Sequence, residues 1–195
     1  MNATRDRIVT ATIELFRRRG YNGTSLKQIT EAADATTGSL YHFWPGGKDE
    51  LTREALATSG AAYGEFFELM VTDTDDPGRA IADFFEAGAQ LMESTDFIDP
   101  CPIGGVAREV ASTDDGLRAT ASSVFDGWIG VAAGFLERSG LTGDAARELA
   151  STLVSTIEGG FVLARTSRDG VAFRAAGRHM QMLVDAALTG AEPAR

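Results

Sequence analysis

The chain has 195 residues, 44% of them apolar, and 18 Lys+Arg against 28 Asp+Glu give a net charge of −10. That length fits one compact body with at most a small added module, and that apolar share can bury a core, which excludes a disordered or low-complexity chain. One cysteine, Cys101, forms no internal disulfide, and with two histidines it does not make the ligand set of a structural zinc site. Neither a metal nor a cofactor is expected. The opening Met1-Asn2-Ala3-Thr4-Arg5-Asp6-Arg7 lacks an apolar signal core, and no run of 18 uninterrupted apolar residues occurs. Secretion and a membrane partner are therefore not expected, and the cytoplasm is the expected setting.

The charge is uneven. Residues 1–48 hold seven Lys/Arg and four Asp/Glu, leaving 11 and 24 for the remainder, so a net +3 is followed by −13. Because salt screens charge over about 8 Å, a phosphate responds to the local patch rather than to the total. The basic end can face a polyanion, although an acidic, soluble surface accounts for the total equally well.

In chain order, Ile8, Ala11, Leu15 and Phe16 form one apolar stripe of a helix over residues 4–19, with Arg17, Arg18 and Arg19 in its last turn. Gly20 stops it, and Tyr21 can fold back on the helix end. Ser25-Leu26-Lys27-Gln28 reads as a capping box opening a second, two-turn helix with Leu26, Ile29 and Ala33 on one face. After Asp34-Ala35 a third short helix starts at Thr36-Thr37, carries Leu40 and Phe43 inward, and ends at Pro45-Gly46-Gly47. Helices this short are unstable alone, so residues 4–44 read as a helix-turn-helix unit with a core of Ile8, Ala11, Leu15, Phe16, Leu26, Ile29, Leu40 and Phe43.

A long periodic run (Leu51, Ala55, Leu56, Tyr63, Phe66, Phe67, Met70) follows from Lys48 to about Thr72, then a turn-rich loop over residues 73–78. Further helices are expected over 79–94, 103–111, 117–139, 144–168 and 171–189, with an irregular stretch over 96–102, stops at Gly140 and Gly170, and a frayed tail over 190–195. With no alternating run long enough for a convincing strand, the expected class is all-α.

Thr24-Ser25-Leu26-Lys27-Gln28-Ile29, then Thr36-Thr37-Gly38-Ser39-Leu40-Tyr41-His42-Phe43, then Lys48-Asp49-Glu50-Leu51 resembles the tetracycline-repressor (TetR) family of bacterial transcription regulators over residues 4–56. The Pro45-Gly46-Gly47-Lys48 form and Cys101-Pro102-Ile103-Gly104-Gly105-Val106-Ala107 look like the branch that includes the lincomycin-resistance and flavonoid-responsive repressors. Two departures stand out. Asp34 replaces the frequent turn glycine, yet Asp tolerates left-handed backbone, and one extra residue follows the aromatic pair, which Gly46 or Gly47 can absorb. The resemblance implies a DNA-binding domain over residues 1–47 and a helical effector-binding and dimerisation domain over 48–195. It also implies a ligand-responsive regulator, a repressor released from a palindromic operator by a small lipophilic or aromatic effector, and not an enzyme.

The start of a recognition helix meets base edges in the major groove, which points to Thr36, Thr37, Gly38 and His42. Thr24, Ser25, Ser39 and Tyr41 are candidates for phosphate contacts, as is Lys48 at a positive helix end, and Lys27 can meet phosphate or base. Alternatively Tyr41 is a half-buried aromatic, Thr36 an N-cap, and Lys27 and Lys48 ordinary solvated lysines. His42 has no second ligand at helical spacing for a metal.

A palindromic operator calls for a homodimer. Leu149, Leu153, Ile157 and Phe161 on one stripe, and Met180, Leu183, Val184 and Leu188 on another, are the interface candidates, with an intrachain core as the alternative. For an effector, Phe66, Met92, Phe97, Cys101, Phe125, Trp128 and Phe161 are candidate lining residues, Trp128 offering a stacking face, with plain core packing as the alternative. Cys101 has no flanking Lys, Arg or His to lower its thiol pKa, so a small buried residue is the default against a redox sensor. The rival classes are a small helical enzyme, for which the chain offers no catalytic constellation, and a TetR-like protein that no longer binds DNA.

Overall fold

Ser25, Thr36 and Asp76 each place a side-chain oxygen where it accepts from an amide in the first turn of a helix, and such caps punctuate this chain. The computed structural model describes residues 3–72, 74–98 and 101–190. Among them lie nine α-helices and no strand: α1 (Ala3–Arg19), α2 (Leu26–Ala32), α3 (Thr37–Phe43), α4 (Lys48–Val71), α5 (Pro77–Ser94), α6 (Pro102–Val110), α7 (Asp115–Arg138), α8 (Gly143–Ser167) and α9 (Val171–Gly190). The all-α expectation holds. Residues 191–195 of the expected tail, and 73, 99 and 100 of the expected irregular stretches, lie outside the described residues.

Where helix ends differ from the sequence reading, a specific group is responsible. Pro77 and Pro102 sit in the first turns of α5 and α6, where the missing N–H has no intrahelical partner to lose. α7 begins at Asp115 because the Asp114 carboxylate accepts from the Leu117 amide at 2.8 Å. α8 is ended by Arg168 in left-handed backbone (φ 56°), two residues before Gly170.

The chain divides into two compact units, one of Met1–Ala62 with Cys101–Val124, the other of Tyr63–Pro100 with Phe125–Arg195. By compactness α6 and the first part of α7 therefore belong with the helix-turn-helix.

In the first unit α1, α2 and α3 pack on one another and α6 packs on α1. Ile8, Ala11, Phe16, Ile29 and Leu40 are buried as expected, while Leu15, Leu26 and Phe43 are only partly covered. Val9, Ala33, Trp44 and Leu51 complete the core. Trp44 is the largest addition, and its buried indole Nε1 donates to Glu54 Oε2 at 2.8 Å, the partner a buried tryptophan N–H requires.

The second unit is built on α5, α8 and α9. Phe173 is fully buried, its ring 4.9 Å from that of Phe161 and 5.2 Å from that of Phe85. A methyl group at Gly88 or Gly160 would lie 2.6 or 2.7 Å from the Phe173 ring, so the absence of side chains there lets three helices close around it. Arg174 forks between Glu86 (2.9 Å) and Glu93 (2.6 Å) to tie α9 to α5. α7 is, by length and composition only, apolar enough to cross a membrane; Leu117, Ala121, Ala132, Phe135 and Leu136 on it are buried.

Candidate nucleic-acid interface

The turn from α1 to α2 is made by Gly20, whose φ of 71° is left-handed and whose amide donates to Phe16 O at 2.9 Å. Tyr21 folds back so that its ring lies 6.0 Å from Phe16. Its hydroxyl donates to Asp49 Oδ1 at 2.6 Å, and burial together with that carboxylate raises the phenol pKa. Thr24 is 1% exposed and its hydroxyl donates to Gly20 O at 2.8 Å, so this candidate points into the turn rather than out of it.

Ser25 then opens α2 with the expected capping box. Its Oγ accepts from Gln28 N at 3.3 Å while Gln28 Oε1 accepts from Ser25 N at 2.8 Å. Lys27 is exposed, with Glu31 3.8 Å away one turn on, a pairing worth little at such exposure. Asp34 takes the left-handed conformation (φ 46°) in the turn to α3. Arg7 of α1 clamps that turn: Nε donates to Ala33 O at 2.9 Å and an Nη to Asp34 O at 3.1 Å.

Thr36 caps α3, accepting from Ser39 N at 3.0 Å and sharing a 2.9 Å hydrogen bond with the Ser39 hydroxyl. With Leu40 buried as the anchor, Thr36, Thr37, Gly38, Tyr41 and His42 are exposed. Thr37 and Tyr41, like Gly38 and His42, stand four residues apart, so each pair stacks along one side of the helix. A methyl group at Gly38 would meet nothing closer than Thr36 Oγ1 at 3.7 Å. Nothing inside the protein demands glycine there.

The loop after α3 accommodates the extra residue at Gly47 (φ 69°), whose amide donates to Trp44 O at 2.9 Å, while Glu50 accepts from Gly46 N at 2.7 Å. Lys48 does not extend outward. Its Nζ donates to Tyr21 O at 2.7 Å and sits 3.9 Å above the Tyr21 ring, and burial lowers its pKa. Arg7, Trp44 and Glu54, which hold this surface together, escaped the sequence reading because each acts on a partner fixed by tertiary packing.

The other candidates are spread more widely. Cys101 is buried in the first unit, whereas Phe66, Met92, Phe97, Phe125, Trp128 and Phe161 belong to the second. Trp128 packs between Phe125 (5.5 Å) and Tyr63 (5.8 Å), Met92 is fully buried, Phe66 is 44% exposed, and Phe97 lies below Arg168, which also pairs with Asp96. A cleft of about 550 Å³ in the second unit is lined by Val71, Thr72, Thr74, Asp75, Pro77, Phe135, Arg138, Ser139 and Leu188, none of them an effector candidate. Of the interface candidates, Leu153, Phe161, Met180 and Val184 are buried within the protomer, while Leu149, Ile157, Leu183 and Leu188 keep some exposure. Among the described residues no group of three His, Cys, Asp or Glu is placed to hold a metal.

Residues 8–55 match the family model described as bacterial regulatory proteins, tetR family, and residues 77–179 match that described as transcriptional regulator LmrA/YxaF-like, C-terminal domain. The HTH-type transcriptional regulator YxaF of Bacillus subtilis (strain 168) is 34% identical over 166 residues, covering 85% of this chain and 87% of that one. The chain belongs to the TetR family of transcriptional regulators. The branch suggested by the Pro-Gly-Gly-Lys and Cys-Pro-Ile-Gly-Gly segments agrees with the second family model. In fold, the chain superposes on a TetR regulator from Legionella pneumophila with a TM-score of 0.82 at 23% identity, covering 94% of this chain and 98% of that one. It also superposes on the TetR-family regulator CifR, solved as a cysteine mutant complexed with 26 bp double-strand operator DNA, with a TM-score of 0.72 at 22% identity over 94% of each chain. A TetR-family chain of this kind is a DNA-binding regulator, not an enzyme.

Proposed function

We propose that this regulator binds a palindromic operator as a homodimer, residues 1–47 reading the duplex, and that a small lipophilic or aromatic effector bound within residues 48–195 releases it, so that it acts as a repressor in the cytoplasm. The observation that carries the DNA reading is the exposed, uncrowded start of α3, where Thr36, Thr37, Gly38 and His42 are available to base edges. Ser25, Lys27, Ser39 and Tyr41 supply phosphate contacts around it. Thr24 and Lys48, both turned inward, serve this surface by shaping the turn that carries it.

For the dimer we favour the exposed sides of α8 and α9, which carry Val162, Leu163, Met182 and Leu183, with Leu149, Ile157 and Leu188 at their margins. The buried Leu153, Phe161, Met180 and Val184 back that surface from within the protomer. For the effector, the rings of Tyr63, Phe125 and Trp128 offer faces for a flat molecule. α4 contributes its first residues to the unit that holds α3 and its last to the unit that holds those rings, so a ligand that binds the two states of the protein unequally can be felt through it.

Selection from random duplexes tests this reading. The expected product is an inverted repeat whose two half-sites are bound together, with sedimentation giving two protomers per duplex. A selected set without two-fold symmetry would contradict it.

A further inference from the structure

In the helix cap that Gly20 makes, the Gly20 amide reaches back to Phe16 O, which leaves the next two N–H groups, those of Tyr21 and Asn22, pointing out of the turn. Successive amides after a left-handed residue form a small concavity suited to an anion. Glu109, in the last turn of α6, fills it: Oε1 accepts from Tyr21 N at 3.1 Å and Oε2 from Asn22 N at 2.7 Å. Gly20 is matched to this carboxylate. The left-handed φ of Gly20 favours glycine, and a methyl group there would lie 1.9 Å from Glu109 Oε1 and so would push the carboxylate off the two amides.

The same peptide is held from its other side. Lys48, the first residue of α4, donates to Tyr21 O at 2.7 Å, and Asp49 accepts the Tyr21 hydroxyl. Tyr21 is thus gripped at its N–H by α6, at its carbonyl by α4 and at its ring hydroxyl by α4. Four residues further along the chain stands Ser25, the cap of α2. Where this turn stands, α2 starts, and α3 packs on α2.

We infer that Glu109 is a positioning residue for DNA reading: a side chain on α6, remote in sequence from α2 and α3 and bonded to the Tyr21 and Asn22 amides, fixes the turn from which the helix-turn-helix is hung. The inference rests on the DNA-binding reading and adds to it the element that controls the placement of α2 and α3. Charge-assisted bonds to backbone amides are the stronger kind, and losing both leaves the turn to be ordered at the moment of binding.

The test compares wild type, Glu109→Gln and Glu109→Ala on a duplex selected by the wild-type protein, with the active fraction of each fixed by stoichiometric titration. Glu109→Ala is expected to bind the duplex about tenfold more weakly per active site, and Glu109→Gln, which keeps one acceptor oxygen without the charge, to fall between the two. Hydrogen exchange, read without DNA, is expected to be faster in Glu109→Ala at the amides of residues 20–24 and unchanged in α8 and α9. Equal affinity per active site in all three proteins, or a loss accounted for wholly by a smaller active fraction, would overturn the inference. A wild-type protein that selects no duplex would overturn the DNA reading itself, while the exchange comparison would still report whether Glu109 holds the turn.

Discussion

The two compact units are held together by different chemistry. Around the helix-turn-helix, charged side chains reach across to backbone groups or to a buried polar atom: Arg7 to Ala33 and Asp34, Lys48 and Glu109 to Tyr21, and Glu54 to the Trp44 indole. In the unit built on α5, α8 and α9, rings close on glycines, Phe173 lying against Gly88 and Gly160. The first arrangement fixes the direction of two short helices that propensity alone would leave unformed. The second fixes the distance between long helices. Substitutions in the first should therefore register in DNA affinity, and those in the second in global stability.

The sharpest break of this contrast is expected at Phe173. Cutting a fully buried ring to alanine costs about 3–5 kcal/mol, and Phe173→Ala should lower the denaturation midpoint by a corresponding amount, whereas a loss below about 1 kcal/mol would show that the ring is not the keystone of its unit. Gly160→Ala comes next, because a methyl 2.7 Å from that ring overpacks the contact by about 1–3 kcal/mol. Trp44→Phe keeps an aromatic side chain but shortens the indole to a phenyl and removes the N–H that Glu54 accepts, at a cost of about 1–2 kcal/mol. It should weaken operator binding more than Gly160→Ala does, although its effect on stability is smaller; the opposite order would erase the distinction between the units.

Asp34→Gly relieves left-handed strain, less the extra chain entropy of glycine, and should raise stability by up to about 1 kcal/mol in a urea titration; a drop would mean that the aspartate side chain is itself required. The smallest effect is expected from Arg174. Its hydrogen bonds hold the Glu86 and Glu93 carboxyls below their ordinary value of 4.5. Carboxyls whose pKa is depressed by folding stabilise the protein above that value, and the contribution disappears as pH falls through their lowered values. Arg174→Met should therefore narrow the gap to wild type in melting temperature between pH 6 and about pH 3, and high salt should narrow it too because the groups are exposed. A gap that does not change with pH would assign the effect of Arg174 to packing.

How much of this was legible in the sequence follows the same division. Ser25 and Gln28, Gly20, Asp34, Thr36 and the Gly46-Gly47 pair act on neighbours within a few residues, so their roles could be read from spacing and were found in the structure. Glu109 bonds a peptide 88 residues away and Arg7 one 26 residues away, and nothing in either neighbourhood signals such a partner. Lys48 was legible as a charge at a helix start but not as a donor turned toward Tyr21, since direction depends on what the turn presents to it. On α8 and α9, periodicity marks an apolar side without saying whether the same chain or a second copy covers it. Leu153, Phe161, Met180 and Val184 are covered by their own protomer, while the exposed Met182 and Leu163 lie off the stripes that periodicity picked out.

On the proposed reading, the exposed start of α3 is what meets base edges. Affinities of wild type, Thr37→Ala and Tyr41→Phe for a panel of duplexes differing at single positions, measured at several salt concentrations, test this most directly. Thr37→Ala should change which duplex is preferred at one or two positions of each half-site, and Tyr41→Phe should weaken every duplex by the same factor and leave the ranking intact. An unchanged ranking for Thr37→Ala, with a changed ranking for Tyr41→Phe, would contradict it.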